Sequence, residues 1–346
     1  MTIHKTNREI LLSAIRLEPA PRTPVITLSS GVWAAGRFGL SLQDLFTRPS
    51  GEMAECILSN VKGLDLDLVW TAADCNNIVL KALGAKTTFC VAGSASTVDE
   101  PLVGDISDIE GLNVENIENC PGIQNLLAVT RILKERAAGS YLIGVSQWGP
   151  LTLAGQMTGI ERLMRLIVRD RQGINHLLDF AEQVILKYLG LFRQAGAELI
   201  CISEPSASGD MISRRLFEST VLPHLQNVYH QIHADAKMLH ICGNTRKILD
   251  LIPPTGADLF SFDYKVPVSA AVLGGKMAFA GQLDPVSVML EGTPEDVRHA
   301  AETCIREAEG TDGYVLMPGC DVPPGTKSEN VLAMVEAAHN SKGDNQ

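Results

Sequence analysis

An α/β fold, a single (β/α)8 TIM barrel with an N-terminal helical extension, is what the sequence predicts. Short apolar runs alternate with amphipathic stretches along most of the chain, the order of a parallel sheet joined by crossover helices. Runs anchored at Val25, Leu66, Leu142, Leu199, Met238, Leu259, Ala278 and Val315 give eight strands, the number that closes such a barrel. The 346 residues are 45% hydrophobic and 20% charged, enough for one large core, and no linker rich in proline, serine or charge divides them. Residues 1–340 are therefore read as one barrel domain and 341–346 as a polar tail.

Thr6 and Glu9 have the spacing of a capping box, and Ile10, Leu11, Ile15 and Leu17 set an apolar stripe behind it, which predicts the N-terminal helix. Pro24-Val25-Ile26-Thr27-Leu28 is the first strand, followed by a mostly helical stretch from Gly31 to Asn60. Leu66 to Trp70 and Tyr141 to Ser146 supply the next two strands. Between them, Cys75 to Cys120 has no strong period, so helices and excursions are expected there, with an irregular stretch around Asp99 to Gly111.

From Gly159 the alternation is regular. Helices are expected over Ile160 to Arg169 and Gly173 to Gln194, with Ala195-Gly196 ending the second before strand Leu199 to Glu204. There follow helix Arg214 to Ala234, strand Lys237 to Cys242, helix Thr245 to Ile252 and strand Leu259 to Asp263. A short helix at Ser269 to Leu273, strand Met277 to Gln282, helix Pro294 to Glu309 and strand Tyr314 to Pro318 complete the order. Thr293 before Pro294 is a good N-cap with proline in the first turn.

Charge bounds the partners. Lys and Arg total 29 against 40 Asp and Glu, a formal charge of -11, which disfavours nucleic acid and anionic membrane surfaces. No run approaches the roughly 18 apolar residues of a spanning helix, and Lys5, Arg8 and Glu9 interrupt any signal-like apolar start. The eight cysteines are scattered without the spacing of a disulfide framework, so a reducing cytoplasm with free thiols is expected.

One strand end concentrates chemistry. In Met238-Leu239-His240-Ile241-Cys242-Gly243, residues two apart share a face, so His240 and Cys242 project together. They close a strand at its C-terminal end, the face where barrel active sites gather. Cys320, in Met317-Pro318-Gly319-Cys320-Asp321, follows the last strand onto the same rim. One imidazole and two thiolates suit a zinc ion with a fourth position open, a catalytic type of site. Buried cysteines are also common packing residues, and only placement at two strand ends separates the two readings.

Glu204 and Asp263 end neighbouring strands and are candidates to hold the second ring nitrogen of His240, with Glu204 alternatively filling the open metal position. Capping or solvated loop roles stand equally open for both. His230 and His233, at i and i+3, lack a third ligand and are read as a surface pair. Gly274-Gly275 is read as a turn, and Cys56, Cys75, Cys90, Cys120, Cys201 and Cys304 as packing residues.

His240-Ile241-Cys242-Gly243, Pro318-Gly319-Cys320 with Val322-Pro323-Pro324, and Glu329-Asn330-Val331 with Ala333-Met334 resemble the zinc-dependent methylcobamide:thiol methyltransferases of the uroporphyrinogen decarboxylase superfamily. The likeness extends from Arg22-Thr23-Pro24 through Gly149-Pro150 and Ala195-Gly196-Ala197 to the C-terminal motif. Asp284-Pro285 resembles a superfamily motif at the catalytic face and is expected to shape the cobamide pocket, although Asp before Pro is also a common turn initiator.

The resemblance implies the barrel, Zn2+, and methyl transfer between a methylcobamide on a separate corrinoid protein and a small-molecule thiol such as coenzyme M. The chain has no Asp-x-His-x-x-Gly of the kind that ligates a protein-bound cobalamin, so the corrinoid is expected on a partner. Three other readings compete. Porphyrinogen decarboxylation lacks its arginine-rich N-terminal signature here; demethylation of an ether, amine or thioether would reverse the transfer; a non-enzymatic zinc protein would need a fourth ligand.

Overall fold

The computed structural model describes residues 5–89, 96–272 and 275–341. Cys90, Leu273, Gly274 and residues 342–346 of the polar tail lie outside them. The strands are β1 (Leu68–Thr71), β2 (Thr87–Thr88), β3 (Thr97–Val98), β4 (Leu142–Trp148), β5 (Leu199–Ser203), β6 (Ala236–Ile241), β7 (Leu259–Phe262), β8 (Ala278–Leu283) and β9 (Tyr314–Pro318). Seven of them form one parallel sheet in the order β1-β4-β5-β6-β7-β8-β9.

The eighth position belongs to Pro24–Ile26, which the sequence predicts as a full strand. Val25 makes a parallel bridge to Leu316, Ile26 N–H donates to Leu316 O at 3.0 Å, and on the other side Asp67 N–H donates to Val25 O at 2.9 Å. The segment thus closes the (β/α)8 barrel between β9 and β1. It stops at a bridge for two reasons: Pro24 has no N–H to give, and the N–H of Val25 goes to the distant Asp67 Oδ2 at 2.7 Å. The Asp67 carboxylate is itself clamped by both terminal nitrogens of Arg22, at 2.6 and 2.7 Å.

Alternation along the strands builds two cores. Leu68, Trp70, Leu199, Cys201, Ala236, Met238, Leu259, Ala278, Ala280, Val315 and Met317 fill the barrel interior, while their neighbours, such as Val69, Ile200, Leu239, Phe260 and Leu316, pack beneath the helices. The predicted N-terminal helix is present as Asn7–Ile15, with the Thr6/Glu9 capping box formed. Its Leu11, Leu12, Ala14 and Ile15 join the interior core, and Arg8 bonds Glu198 and Asp235 ahead of β5 and β6. The N-terminal end of the barrel is plugged, so the open mouth is at the strands' C-terminal end.

Local sequence explains where elements depart from expectation. The stretch expected as one helix from Arg214 to Ala234 is split into Arg214–Leu216, a π-turn at Phe217–Val221 and Leu222–Gln231. Pro223 removes one helical N–H, and a wider turn accommodates its ring. Because the helix ends at Gln231, His230 and His233 do not share its face, and both are exposed. The predicted helix at Thr245 to Ile252 is a tight 3-10 run, Arg246–Leu251, ending ahead of Pro253-Pro254. In the stretch without period, β2 and β3 pair as a small antiparallel hairpin. Among the described residues no helix is long and apolar enough to cross a membrane.

Candidate metal centre

In β6 the interior face runs Ala236, Met238, His240; the first two are core residues, and His240 continues the series toward the mouth with 3% exposure. Cys242 follows just past the strand. Gly243 then turns the chain at φ +81, and a Cβ there would stand 2.9 Å from Asp210 Oδ2 and 3.0 Å from Ser208 Oγ. The Gly243 N–H donates to Asp263 Oδ2 at 2.8 Å, and Lys265 N–H to Asp263 Oδ1 at 3.0 Å. The carboxylate at the end of β7 therefore pins the loop that carries Cys242.

Cys320 comes from β9. Gly319 N–H donates to Leu283 O at 2.8 Å, at the end of β8. A Cβ on Gly319 would lie 2.6 Å from Tyr264 N, so only glycine lets this exit press against the β7 loop. Beyond the cysteine, Asp321 Oδ1 accepts from Ser30 N–H at 2.8 Å and Ser30 Oγ accepts from Val322 N–H at 2.9 Å. These bonds tie the last loop to the first.

The outcome is convergence: the ligand atoms of His240, Cys242 and Cys320 all lie within 4.8 Å of one another. His240 Nδ1 is 2.9 Å from Ser261 Oγ, which leaves Nε2 for the cluster. The sequence offers Glu204 and Asp263 as candidates for that contact; in the structure Ser261 makes it. Both Asp263 oxygens are engaged by backbone N–H groups. Glu204 accepts from Leu151 N–H at 2.9 Å, Thr152 N–H at 2.7 Å and the Thr152 hydroxyl. It caps helix Pro150–Thr158, an arrangement favoured by the helix dipole.

Glu204 still abuts the centre, because its own N–H donates to His240 O at 2.8 Å. It does not belong to the ligand cluster. Asp284 accepts from Val286 and Ser287 N–H at 2.8 and 3.1 Å, which is the turn-initiating role.

Protonation follows from these contacts. The hydrogen bond from Cys320 draws the Cys242 thiol below its ordinary value, and the same bond, with burial, pushes Cys320 up to about 12. The two sulfurs titrate as a pair in which Cys242 is the more acidic. Two cysteine sulfurs, which yield their protons to a bound cation, and an imidazole with its second nitrogen held by Ser261 form a donor set that fits zinc. Burial pushes Glu204 up to about 7, partly offset by the three donors it accepts from. Asp321 and Asp74 are also raised by burial, and Asp74 adds repulsion to Asp321. Asp321 as a residue nonetheless has exposed surface.

Ser261 and Asp321 were missed by sequence reasoning. A signal for Ser261 existed: it is the polar member of Phe260-Ser261-Phe262, on the face of Leu259 and Asp263. Cys75, Cys201 and Cys304 are buried and Cys56 and Cys120 half-buried, all as free thiols. A second convergent group, Asp179, Glu182 and His224, lies on the outer helices. There Glu182 accepts from His224 and Asn227 and joins two helices.

Barrel and site together define a class: a (β/α)8 enzyme scaffold with a thiol–imidazole centre at its catalytic mouth. The chain belongs to the uroporphyrinogen decarboxylase family, which it matches over residues 6–341. Among curated relatives, a methylated-thiol–coenzyme M methyltransferase of Methanosarcina mazei is 33% identical over 64% of this chain and 60% of that one. A methylcobamide:CoM methyltransferase, MtaA, of Methanosarcina barkeri is 25% identical over 94% of this chain and 96% of its own length. A solved methyltransferase from Methanosarcina mazei shares the fold with a TM-score of 0.87 at 24% identity, covering 97% of this chain and 99% of that one. The protein is thus an enzyme of a family in which its relatives include corrinoid-dependent methyltransferases.

Proposed function

We propose that the protein transfers a methyl group from a methylcobamide, carried by a separate corrinoid protein, to a small-molecule thiol at a zinc centre of His240, Cys242 and Cys320. The observation that carries this reading is the convergence of those three ligand atoms within 4.8 Å at the barrel mouth. The names of its relatives, which pair methylcobamide with coenzyme M, support the same chemistry.

Zinc held there would lower the pKa of an added thiol and, with two cysteinates offsetting its charge, leave that sulfur electron-rich. The chain's own residues prepare the place. Ser261 fixes the His240 ring, Asp263 fixes the loop of Cys242, and Gly319 lets Cys320 approach. With three protein ligands, a zinc ion held there would have its fourth position open to substrate. In the reaction the sulfur lone pair forms the new C–S bond, the Co–C bond breaks with its electron pair remaining on cobalt, and the thiol proton leaves to solvent. Co(III) becomes Co(I), and a thioether is the product.

The test combines metal analysis with transfer from free methylcobalamin to a panel of thiols. One zinc per chain and thiol-dependent loss of the methyl group are expected. Full metal content with no transfer to any thiol overturns the reading.

A further inference from the structure

The second convergent group lies on the outer helices. Asp179 and Glu182 are three residues apart on the helix Arg171–Ala195, a spacing that sets both carboxylates on one face, and His224 stands opposite them on Leu222–Gln231. One ligand atom from each of the three lies within 4.8 Å of the other two, the same limit that holds for the trio at the mouth. His224 Nδ1 bonds Glu182 Oε1 and is 3.8 Å from Asp179 Oδ1.

Glu182 is the unusual member. It is a carboxylate with 5% exposure, and among the described residues neither it nor Asp179 is ion-paired with a Lys or Arg; His224 is the one partner of both. A buried carboxylate is costly without a full counter-charge, and a single imidazole facing two carboxylates cannot supply it. The surroundings suit an ion instead. Asn227 donates to Glu182 Oε2 and its own oxygen accepts from Gln231 Nε2 at 3.1 Å, so the carboxylate is oriented through one oxygen while the other faces the imidazole. The Asp179 side chain is 63% exposed, which leaves water free to complete a coordination shell.

We propose that Asp179, Glu182 and His224 form a second metal site, on the outer wall of the barrel, for a divalent first-row cation that clips the helix Arg171–Ala195 to the helix Leu222–Gln231. The site carries no thiolate. One nitrogen and two carboxylates, with water, suit an ion such as Mn2+, whereas thiolates select zinc, so the two centres sort different ions. The helices joined here are those that precede β5 and β6, and β6 carries His240.

Manganese itself is the probe. The zinc-loaded full-length protein is titrated with Mn2+, the free ion is counted by electron paramagnetic resonance, and pulsed spectra detect nitrogen bound to the metal. One Mn2+ per chain with the coupling of a single imidazole nitrogen is expected, together with a rise in Tm at saturating Mn2+. His224→Ala should remove the nitrogen coupling. Glu182→Gln and Asp179→Asn should each weaken binding by about tenfold or more, at least the loss that follows when only an orienting partner is removed, while zinc content and thiol methylation stay those of the wild type. Asp179 is exposed, so its variant reports even where a change at buried Glu182 disturbs the fold. His240→Ala should leave Mn2+ binding intact, which keeps the result independent of the centre at the mouth. No bound Mn2+, Mn2+ bound without nitrogen, or binding that is lost in His240→Ala and kept in His224→Ala overturns the inference.

Discussion

His240 Nδ1 and Ser261 Oγ meet at 2.9 Å across β6 and β7, where the two residues are paired in register. Register alone puts a hydroxyl beside the imidazole, and the ring is thereby turned to offer Nε2 to the two cysteines. Partners of this kind set both tautomer and orientation of a metal-binding histidine. Ser261→Ala should lower zinc affinity about 10–100-fold in chelator competition, and Ser261→Thr should retain most of it. Unchanged affinity in the alanine variant would show that the hydroxyl does not orient the ring.

Removing a ligand should separate metal from fold. Cys320→Ala or His240→Ala is expected to lose stoichiometric zinc and thiol methylation while the far-ultraviolet circular dichroism stays that of the wild type. The interior core below the site does not depend on them. Zinc affinity should also fall as the pH falls, because the ion must displace the proton on Cys320, whose thiol is pushed up to about 12 by the Cys242 hydrogen bond and burial. Metal titrations at several pH values, with proton release followed in parallel, check this.

Glu204 makes stability depend on pH in a predictable direction. Its carboxyl is raised from 4.5 to about 7 in the folded chain, so the folded state holds the proton more tightly than the unfolded one. Its contribution is most favourable below about 4.5, declines as the pH rises through the interval, and levels off above about 7. The full span is about 3 kcal/mol at ~1.4 kcal/mol per unit. Denaturation of wild type and Glu204→Gln across this range isolates it: their difference should shrink against the wild type as pH rises. A pH-independent difference would show that Glu204 is not raised.

Gly319 is a steric prediction. Gly319→Ala puts a methyl 2.6 Å from Tyr264 N, so the β9 exit must move, at a cost of about 1–3 kcal/mol. Chemical denaturation reads the loss of stability, and zinc affinity should drop with it because Cys320 is the next residue.

The parts of the fold written in local pattern were legible. The Thr6/Glu9 box, the Gly196 stop and the Thr293-Pro294 start all appear as expected, and strand Tyr314–Pro318 matches to the residue. The shortened first strand depended instead on a tertiary bond. Nothing near Val25 announces that the distant Asp67 carboxylate takes its N–H and shortens the strand to a bridge. The convergence of His240, Cys242 and Cys320 was legible because two of them share a strand face and the third shares its rim. Its support was not, since strand register rather than charge chose Ser261 over the more conspicuous Glu204 and Asp263. Those carboxylates were drawn instead to backbone N–H groups that a buried loop or helix start cannot leave unpaired.

Zinc-edge X-ray absorption on the purified full-length protein, before and after adding 2-mercaptoethanol, tests the centre most directly. The resting spectrum should fit two sulfurs at about 2.3 Å, one imidazole nitrogen at about 2.0–2.1 Å and a light fourth atom. Thiol should replace that fourth atom by a third sulfur. A shell made only of oxygen and nitrogen, or one that does not change when thiol is added, would contradict the account.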